Sequence, residues 1–331
     1  MNLVTGGSGL VGSHIILDLL DKGLPVRALK REESDLEPIK SLFKFYKKSE
    51  LFEKIKWVDG DILDIPSLEA AMDQVENVYH SAALVSFYKK HHKRMYDINV
   101  RGTYNIVNQA ISSKVRKIGH ISSIAALGRN NTHYYTESNK WKNDKNNSYY
   151  AITKYGAERE IWRGINEGVP AVIVNPGIIL GPSNWNRSSS TLFKNIYKGL
   201  KYYTTGVNGF VDVRDVSKAI ISLTNSSINS ERFILVSENI SYKDIFQEIA
   251  RSFNKEIPNK AASKNILEIT WRIALLKSYF NGKPPSITKE TARTSIQQNY
   301  YDASKIKKEI SFDFIKTEDS IKNAAAYFLK F

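Results

Sequence analysis

The 331 residues predict an α/β fold: a doubly wound parallel sheet followed by a smaller, mainly helical C-terminal cap. Through about residue 180, short β-branched apolar runs alternate with longer stretches whose apolar residues recur at helical spacing, the pattern of repeated βαβ units. A glycine-rich turn separates the first strand candidate from the first helix candidate. Beyond Gly181 the alternation lapses and helical patterns dominate.

The strand candidates of the first part are residues 2–5, 25–30, 55–59, 77–81, 117–122 and 171–175, and the helix candidates between them are 10–22, 34–46, 67–73, 95–113 and 149–166. The polar stretch 129–147, rich in Asn, Lys and Thr, reads as a surface loop. In the second part, helices are expected at 191–198, 213–224, 242–253, 266–280 and 317–329, with short strands at 209–211 and 232–236. This divides the chain into a dinucleotide-binding domain over 1–180 and a substrate cap over 181–331, whose segments near 209–237 partly return to the first domain. The stretch 265–280 is the most lipid-like, but Glu268, Arg272 and Lys277 interrupt it, so it reads as a cap helix rather than a membrane-surface helix.

Composition narrows the function classes. With no cysteine, disulfides, thiolate chemistry and cysteine-ligated zinc are excluded. The six histidines show no metal-ligand spacing with a carboxylate partner, so no metal is expected. A formal charge of +14 invites a nucleic-acid reading, yet the basic residues are dispersed and no recognition motif accompanies them, so no nucleic-acid partner is expected. No apolar run approaches the roughly 18 residues a membrane-spanning helix needs, and no signal-peptide pattern precedes the first strand. The expected location is cytoplasmic.

The turn Thr5-Gly6-Gly7-Ser8-Gly9-Leu10-Val11-Gly12 carries the first chemical signal. Gly6 permits a tight turn, Gly9 lets a pyrophosphate approach the backbone N–H groups of Leu10 and Val11 at the positive helix end, and Gly12 allows close packing. After the second strand, where an NAD site places an acid, this chain has Lys30 and Arg31. Two cations suit a 2′-phosphate, so NADP(H) is favoured, with NAD(H) as the alternative should Glu32 or Glu33 turn inward.

Tyr150 and Lys154 are the second signal. At i, i+4 they share one helix face, where an ammonium beside a phenol favours the phenolate and lowers its pKa from about 10 toward the working range. Upstream, Ser123 ends a strand on the ligand-binding side of such a sheet, where its hydroxyl can hold a reacting oxygen.

These residues resemble the extended short-chain dehydrogenase/reductase superfamily, the NAD-dependent epimerase/dehydratase group, and within it the dihydroflavonol-reductase-like members. The likeness covers nearly the whole chain. Besides the turn and the Tyr-Lys pair, it rests on Gly60-Asp61-Ile62, His80-Ser81-Ala82-Ala83, Asn99-Val100-Arg101-Gly102-Thr103, Ser122-Ser123 and Asn175-Pro176-Gly177. The resemblance implies a Rossmann sheet, Asp61 and Ile62 at the adenine, Ala82 and Ala83 along the cofactor, and Pro176, Ile178 and Ile179 at the nicotinamide. It further implies Tyr150 as general acid/base, Lys154 bonding the nicotinamide ribose and tuning Tyr150, and Ser123 orienting the substrate oxygen. A homodimer, built on the helices after the fourth and fifth strands, is a further expectation from it.

Sugar dehydratases of that superfamily follow the Ser/Thr position with Asp-Glu, where this chain has Ile124 and Ala125, and epimerases usually keep the acid that Lys30-Arg31 replaces. Reduction of a ketone or aldehyde, or oxidation of the corresponding alcohol, is therefore expected. The alternatives are a nucleotide-sugar epimerase, a hydroxysteroid-type dehydrogenase, or a non-catalytic dinucleotide sensor. Substrate-shaping loops are expected at 86–92, 129–135 and 185–190, with Phe87 and Trp185 hinting at an apolar or ring-bearing substrate.

Overall fold

The computed structural model describes residues 1–129, 132–186 and 189–331. Asn130, Asn131, Arg187 and Ser188, in two of the expected pocket loops, lie outside the described residues. Seven strands make the central sheet: β1 (Asn2–Thr5), β2 (Val26–Lys30), β3 (Lys56–Asp59), β4 (Asn77–His80), β5 (Lys117–Ile121), β6 (Ala171–Pro176) and β7 (Glu231–Leu235). Their order is β7-β6-β5-β4-β1-β2-β3, with every pairing parallel. The chain winds outward from β1 through β2 to β3, then returns to β4 on the other side of β1. That reversal opens a crevice at the carboxyl ends of β1 and β4, where doubly wound sheets bind ligands. Each expected strand of this sheet forms with its ends within one residue of the pattern. The four central strands are buried at every position while β3 is half-exposed, which is why apolar runs rather than alternation marked them.

The ten main helices are α1 (Leu10–Asp21), α2 (Glu37–Phe45), α3 (Ile65–Met72), α4 (Gly102–Ser112), α5 (Tyr149–Asn166), α6 (Ser190–Tyr197), α7 (Val213–Asn225), α8 (Tyr242–Ser252), α9 (Lys264–Asn281) and α10 (Thr317–Lys330). One sheet face is covered through Ile15 and Leu19 of α1, Phe43 of α2 and Ile220 of α7. The other is covered through Leu68 of α3, Val107 of α4 and Ile161 of α5. A third core joins Phe193 of α6, Ile245 and Ile249 of α8, and Ala324 and Phe328 of α10.

Two expectations need correcting. The single helix over 95–113 is broken: an α-turn, His92–Tyr96, passes into a π-helical turn, Asp97–Arg101, before α4. Gly102 starts α4 so close to Ile62 that a Cβ there would lie 2.4 Å from the Ile62 side chain. The expected surface loop at 129–147 is tied to the rest of the chain at several described residues: Tyr134–Tyr135 pairs with Tyr300–Tyr301, and Arg232 donates to the carbonyls of Glu137 and Asn139 at 2.7 and 2.6 Å. The second part also holds strands beyond those expected, since Val207–Asp212 pairs with Ile178–Leu180 and Glu238–Ser241 in a small sheet.

Candidate active site

At the end of β1 the chain turns through Gly6 at φ +68°, where a Cβ would lie 2.7 Å from the Ala82 nitrogen beyond β4. The phosphate turn and the exit of β4 are thus in direct backbone contact. Gly12 packs on that same turn, a Cβ there falling 2.2 Å from the Gly6 carbonyl oxygen. Gly9 is the N-cap of α1 and no side chain caps the helix. The N–H groups of the first turn, including those of Leu10 and Val11, therefore point into the crevice at the positive end of α1. These residues fit a dinucleotide's pyrophosphate.

The rim holds a feature that reading along the chain missed. Lys30 is ion-paired with Asp59, its register partner at the end of β3, so one of the two expected cations already carries a counter-charge. Arg31 lies 3.4 Å from Glu33 and both remain largely exposed. Asp61 accepts from the Leu63 amide at 2.9 Å, while Ile62 is buried in the core beneath it. Ala82 is half-buried and Ala83 exposed at the exit of β4.

Ser148 caps α5, its hydroxyl accepting from the Ala151 amide at 2.8 Å, and so sets Tyr150 in the helix's first turn. Ser123 follows β5, accepts from the Ala125 amide at 3.1 Å, and lies close enough to the Tyr150 hydroxyl to favour its ionised form. The neighbouring Ser122 hydroxyl is buried with no partner among the described residues, so Ser123 is the serine that meets the tyrosine. Ile121 pairs with Val174 on β6, which brings Pro176 to the same sheet end, and Ile178 and Ile179 lead from there into the small sheet. Lys154 is buried and donates to the Ile121 carbonyl at 2.8 Å.

The electrostatics differ from the expectation in one respect. Burial pushes the Tyr150 phenol above its ordinary 10, opposed by the Ser123 hydroxyl, because a desolvated phenolate lacks the hydration it would have in water. The Lys154 ammonium, directed at a backbone carbonyl, does not bring it down. Burial lowers Lys154 itself to about 8, against the opposing charge of Glu158.

Behind these groups runs a buried chain of hydrogen bonds. Thr5 Oγ1 meets His80 Nδ1 at 2.8 Å, His80 Nε2 meets Thr103 Oγ1 at 3.0 Å, and Thr103 Oγ1 donates to the Asn99 carbonyl at 2.6 Å. Asn99 Nδ2 donates to Thr153 Oγ1 at 3.0 Å, and that hydroxyl donates to the Tyr150 carbonyl at 2.8 Å. Each hydroxyl has one proton, so Thr103 must receive from His80 Nε2–H, leaving Nδ1 to accept from Thr5. Burial, together with the charge of Lys154, lowers His80 to about 3, keeping the imidazole neutral as this single tautomer requires.

Above the sheet, the Phe87 ring stands edge-on to Tyr150, 6.0 Å between centroids. Trp185 instead packs inside the third core, 4.2 Å from the Phe328 ring, and is a packing residue. Glu290, from the short helix Lys289–Thr294, lies beside the Ser148 hydroxyl and near Arg129, with its Oε1 buried and unpartnered among the described residues. Burial raises its carboxyl to about 7. Nothing in its local sequence marks it.

The family model described as "NAD dependent epimerase/dehydratase family" matches residues 2–235. The chain is 30% identical over 334 residues to a Synechocystis sp. protein named "Putative dihydroflavonol 4-reductase", covering 98% of this chain and 92% of that one. It is 30% identical over 268 residues to cinnamoyl-CoA reductase 1 of Petunia hybrida, covering 77% and 78% of the two chains. The crystal structure of gox2253 matches with a TM-score of 0.82 at 26% identity, over 100% of this chain and 98% of its own.

Proposed function

The chain belongs to the NAD-dependent epimerase/dehydratase family, as an NAD(P)-dependent oxidoreductase of the extended short-chain type, and on that premise we propose that it reduces a ketone or aldehyde with NADP(H), or oxidises the corresponding alcohol. The observation that carries this reading is the convergence of Ser123, just beyond β5, with Tyr150 and Lys154 of α5 at the carboxyl end of the sheet, where Lys154 donates to the Ile121 carbonyl. The reductase names of the two relatives support it.

In this proposal the turn from Gly6 through Gly9, Leu10, Val11 and Gly12 holds the pyrophosphate, and Lys30 and Arg31 hold the 2′-phosphate. Asp61 and Ile62 border the adenine, Ala82 and Ala83 line the cofactor, and Pro176, Ile178 and Ile179 flank the nicotinamide. The bound cofactor supplies the hydride. Ser123 fixes the substrate oxygen, and Tyr150 delivers the proton that completes the alcohol, or removes it in the reverse direction. Lys154, largely charged below about pH 8, bonds the ribose. Residues 181–331 act as the cap that closes on the substrate, and Phe87 gives the pocket an apolar wall.

A second reading follows from Asp59. Its carboxylate at the tip of β3 could serve as the ribose-binding acid, which would suit NAD(H) and epimerase chemistry. Fluorescence titration with NADPH and NADH separates the two. Preference for NADPH that Arg31→Glu removes supports the reductase; tight NADH binding indifferent to Arg31 replaces it with the second reading, and no binding of either overturns both.

A further inference from the structure

Helix α9 has two apolar faces. Leu267 and Trp271 turn inward and pack with Ala292 and Ile296, and Ala274 is buried on the same side, which anchors the helix to the cap. Ile266, Ile269, Ile273, Leu276 and Phe280, spaced i, i+3, i+7, i+10 and i+14, form a second stripe on the opposite side. All five are exposed, 59% at Ile269 and Leu276 and 79% at Phe280, with Tyr279 beside the stripe at 82%. Folding of this chain therefore does not explain the second stripe.

The charges around it have one sign. Lys264, Arg272, Lys277, Lys283 and Lys289 are exposed, and the only acid between 264 and 289 is Glu268, which is paired with Arg272 at 2.6 Å. By helical geometry, Arg272 and Lys277 flank the stripe on its two sides.

We propose that this stripe docks the protein on the surface of an anionic lipid bilayer, with the apolar side chains entering the headgroup boundary and the lysines meeting lipid phosphates. A second copy of the chain is the less suitable occupant, because a two-fold contact would set this cationic patch against itself with no acid opposite. The helix lies on the surface rather than crossing it: among the described residues no helix is long and apolar enough to span a membrane. Docking here has a consequence for the site. Ser278 on α9 lies beside Tyr88, the neighbour of Phe87, so the bilayer would adjoin the loop whose Phe87 ring meets Tyr150. The inference goes beyond the proposed chemistry and stands without it.

The test is co-sedimentation of the full chain with vesicles of phosphatidylcholine containing about one-third phosphatidylglycerol, and with pure phosphatidylcholine. Wild type should pellet with the anionic vesicles. The bound fraction should fall at least about tenfold in the Ile269→Asp/Leu276→Asp/Phe280→Asp variant and in Lys264→Glu/Lys277→Glu. Unchanged melting temperature and NADPH fluorescence titration show that both variants remain folded, since every altered residue is exposed. Wild type that stays in the supernatant, or an apolar-stripe variant that pellets like wild type, overturns the proposal. So does a dimer, seen by light scattering, that the stripe variant dissociates while wild type ignores the vesicles; that result assigns the face to a second copy.

Discussion

Asn99 Nδ2 donates to Thr153 Oγ1 across 3.0 Å, joining the π-helical turn before α4 to the helix that carries Tyr150 and Lys154. The same amide accepts from the Leu84 N–H at 2.7 Å and donates to the Leu84 carbonyl at 3.0 Å. One buried side chain thus fixes the spacing between the loop beyond β4 and α5. The π-turn is the local distortion that accompanies this placement, and such turns occur frequently at functional sites.

Asn99→Leu should therefore act on positioning. It leaves Thr153 Oγ1 and both Leu84 backbone groups short of a partner and lets α5 shift against the loop. We expect kcat for carbonyl reduction to fall roughly 100-fold, the scale of an ångström-sized misplacement, while the Kd for NADPH stays within about twofold. Stopped-flow turnover beside fluorescence titration checks this; a change confined to cofactor affinity would contradict it.

Asp59 sets a prediction about cofactor choice. Asp59 neutralises Lys30 and Arg31 shares its charge with the exposed Glu33, so neither cation is wholly free for a 2′-phosphate. Asp59→Asn frees Lys30, and one charge-assisted hydrogen bond of about 1.5–3 kcal/mol corresponds to at least a tenfold gain in preference for NADPH over NADH. The ratio of the two dissociation constants is the measurement, and an unchanged ratio would remove Lys30 from the phosphate site.

Ser123 opposes the burial that raises the Tyr150 phenol, so removing it has a definite sign. In Ser123→Ala the phenol ionises at still higher pH, and alcohol oxidation, which needs the phenolate as base, loses rate on its acidic side. The acid limb of the kcat/KM profile should move alkaline, with Tyr150→Phe roughly 10²- to 10⁴-fold slower at every pH. A limb that stays in place would mean that Ser123 does not act on the phenol.

The sheet and its helices were legible because each depends on periodicity within one segment: strands buried on both faces read as apolar runs, and α5 reads from its spacing over its full length. The candidate phosphate turn, Ser123, Tyr150 and Lys154 were legible because the chemistry proposed for them needs fixed residue types at fixed spacing. Asn99 stood inside a recognised motif, but its bond to Thr153 spans 54 residues and could not be read along the chain. Asp59 and Glu290 were missed for the same reason, being brought to the site by strand register and by the cap. The two-residue strands at Tyr134 and Tyr300 exist only through their mutual pairing, and two tyrosines in isolation carry no strand signal.

Glu290 should make the cap sense pH. Buried beside Ser148, its carboxyl ionises near 7 instead of at its ordinary 4.5, so the unfolded chain loses this proton first as pH rises. The neutral form's contribution to stability is complete below about 4.5 and is lost by the time pH passes 7. Glu290→Gln, neutral throughout, should flatten that part of the stability profile. Urea melts at intervals across the window decide it, and wild-type and variant curves that fall in parallel would exclude Glu290 as the source.

Lys154 gives the opposite sign. Its ammonium is held in the interior at the Ile121 carbonyl and titrates near 8, whereas an unfolded lysine titrates near 10.5. Between those values the unfolded state binds the proton that the folded state has released, so stability rises with pH across that window and is lost again as pH falls through 8. For a group 2% exposed the rise amounts to at most ~3 kcal/mol. Lys154→Met removes the group that titrates, so the stability difference between wild type and variant should grow in favour of wild type from pH 8 to 10.5. The same substitution should abolish carbonyl reduction at pH 7. Chemical denaturation of both proteins at the two ends of the window measures the first effect. Parallel profiles would mean that Lys154 does not carry the buried charge, and with it would go the charged donor proposed to hold the ribose.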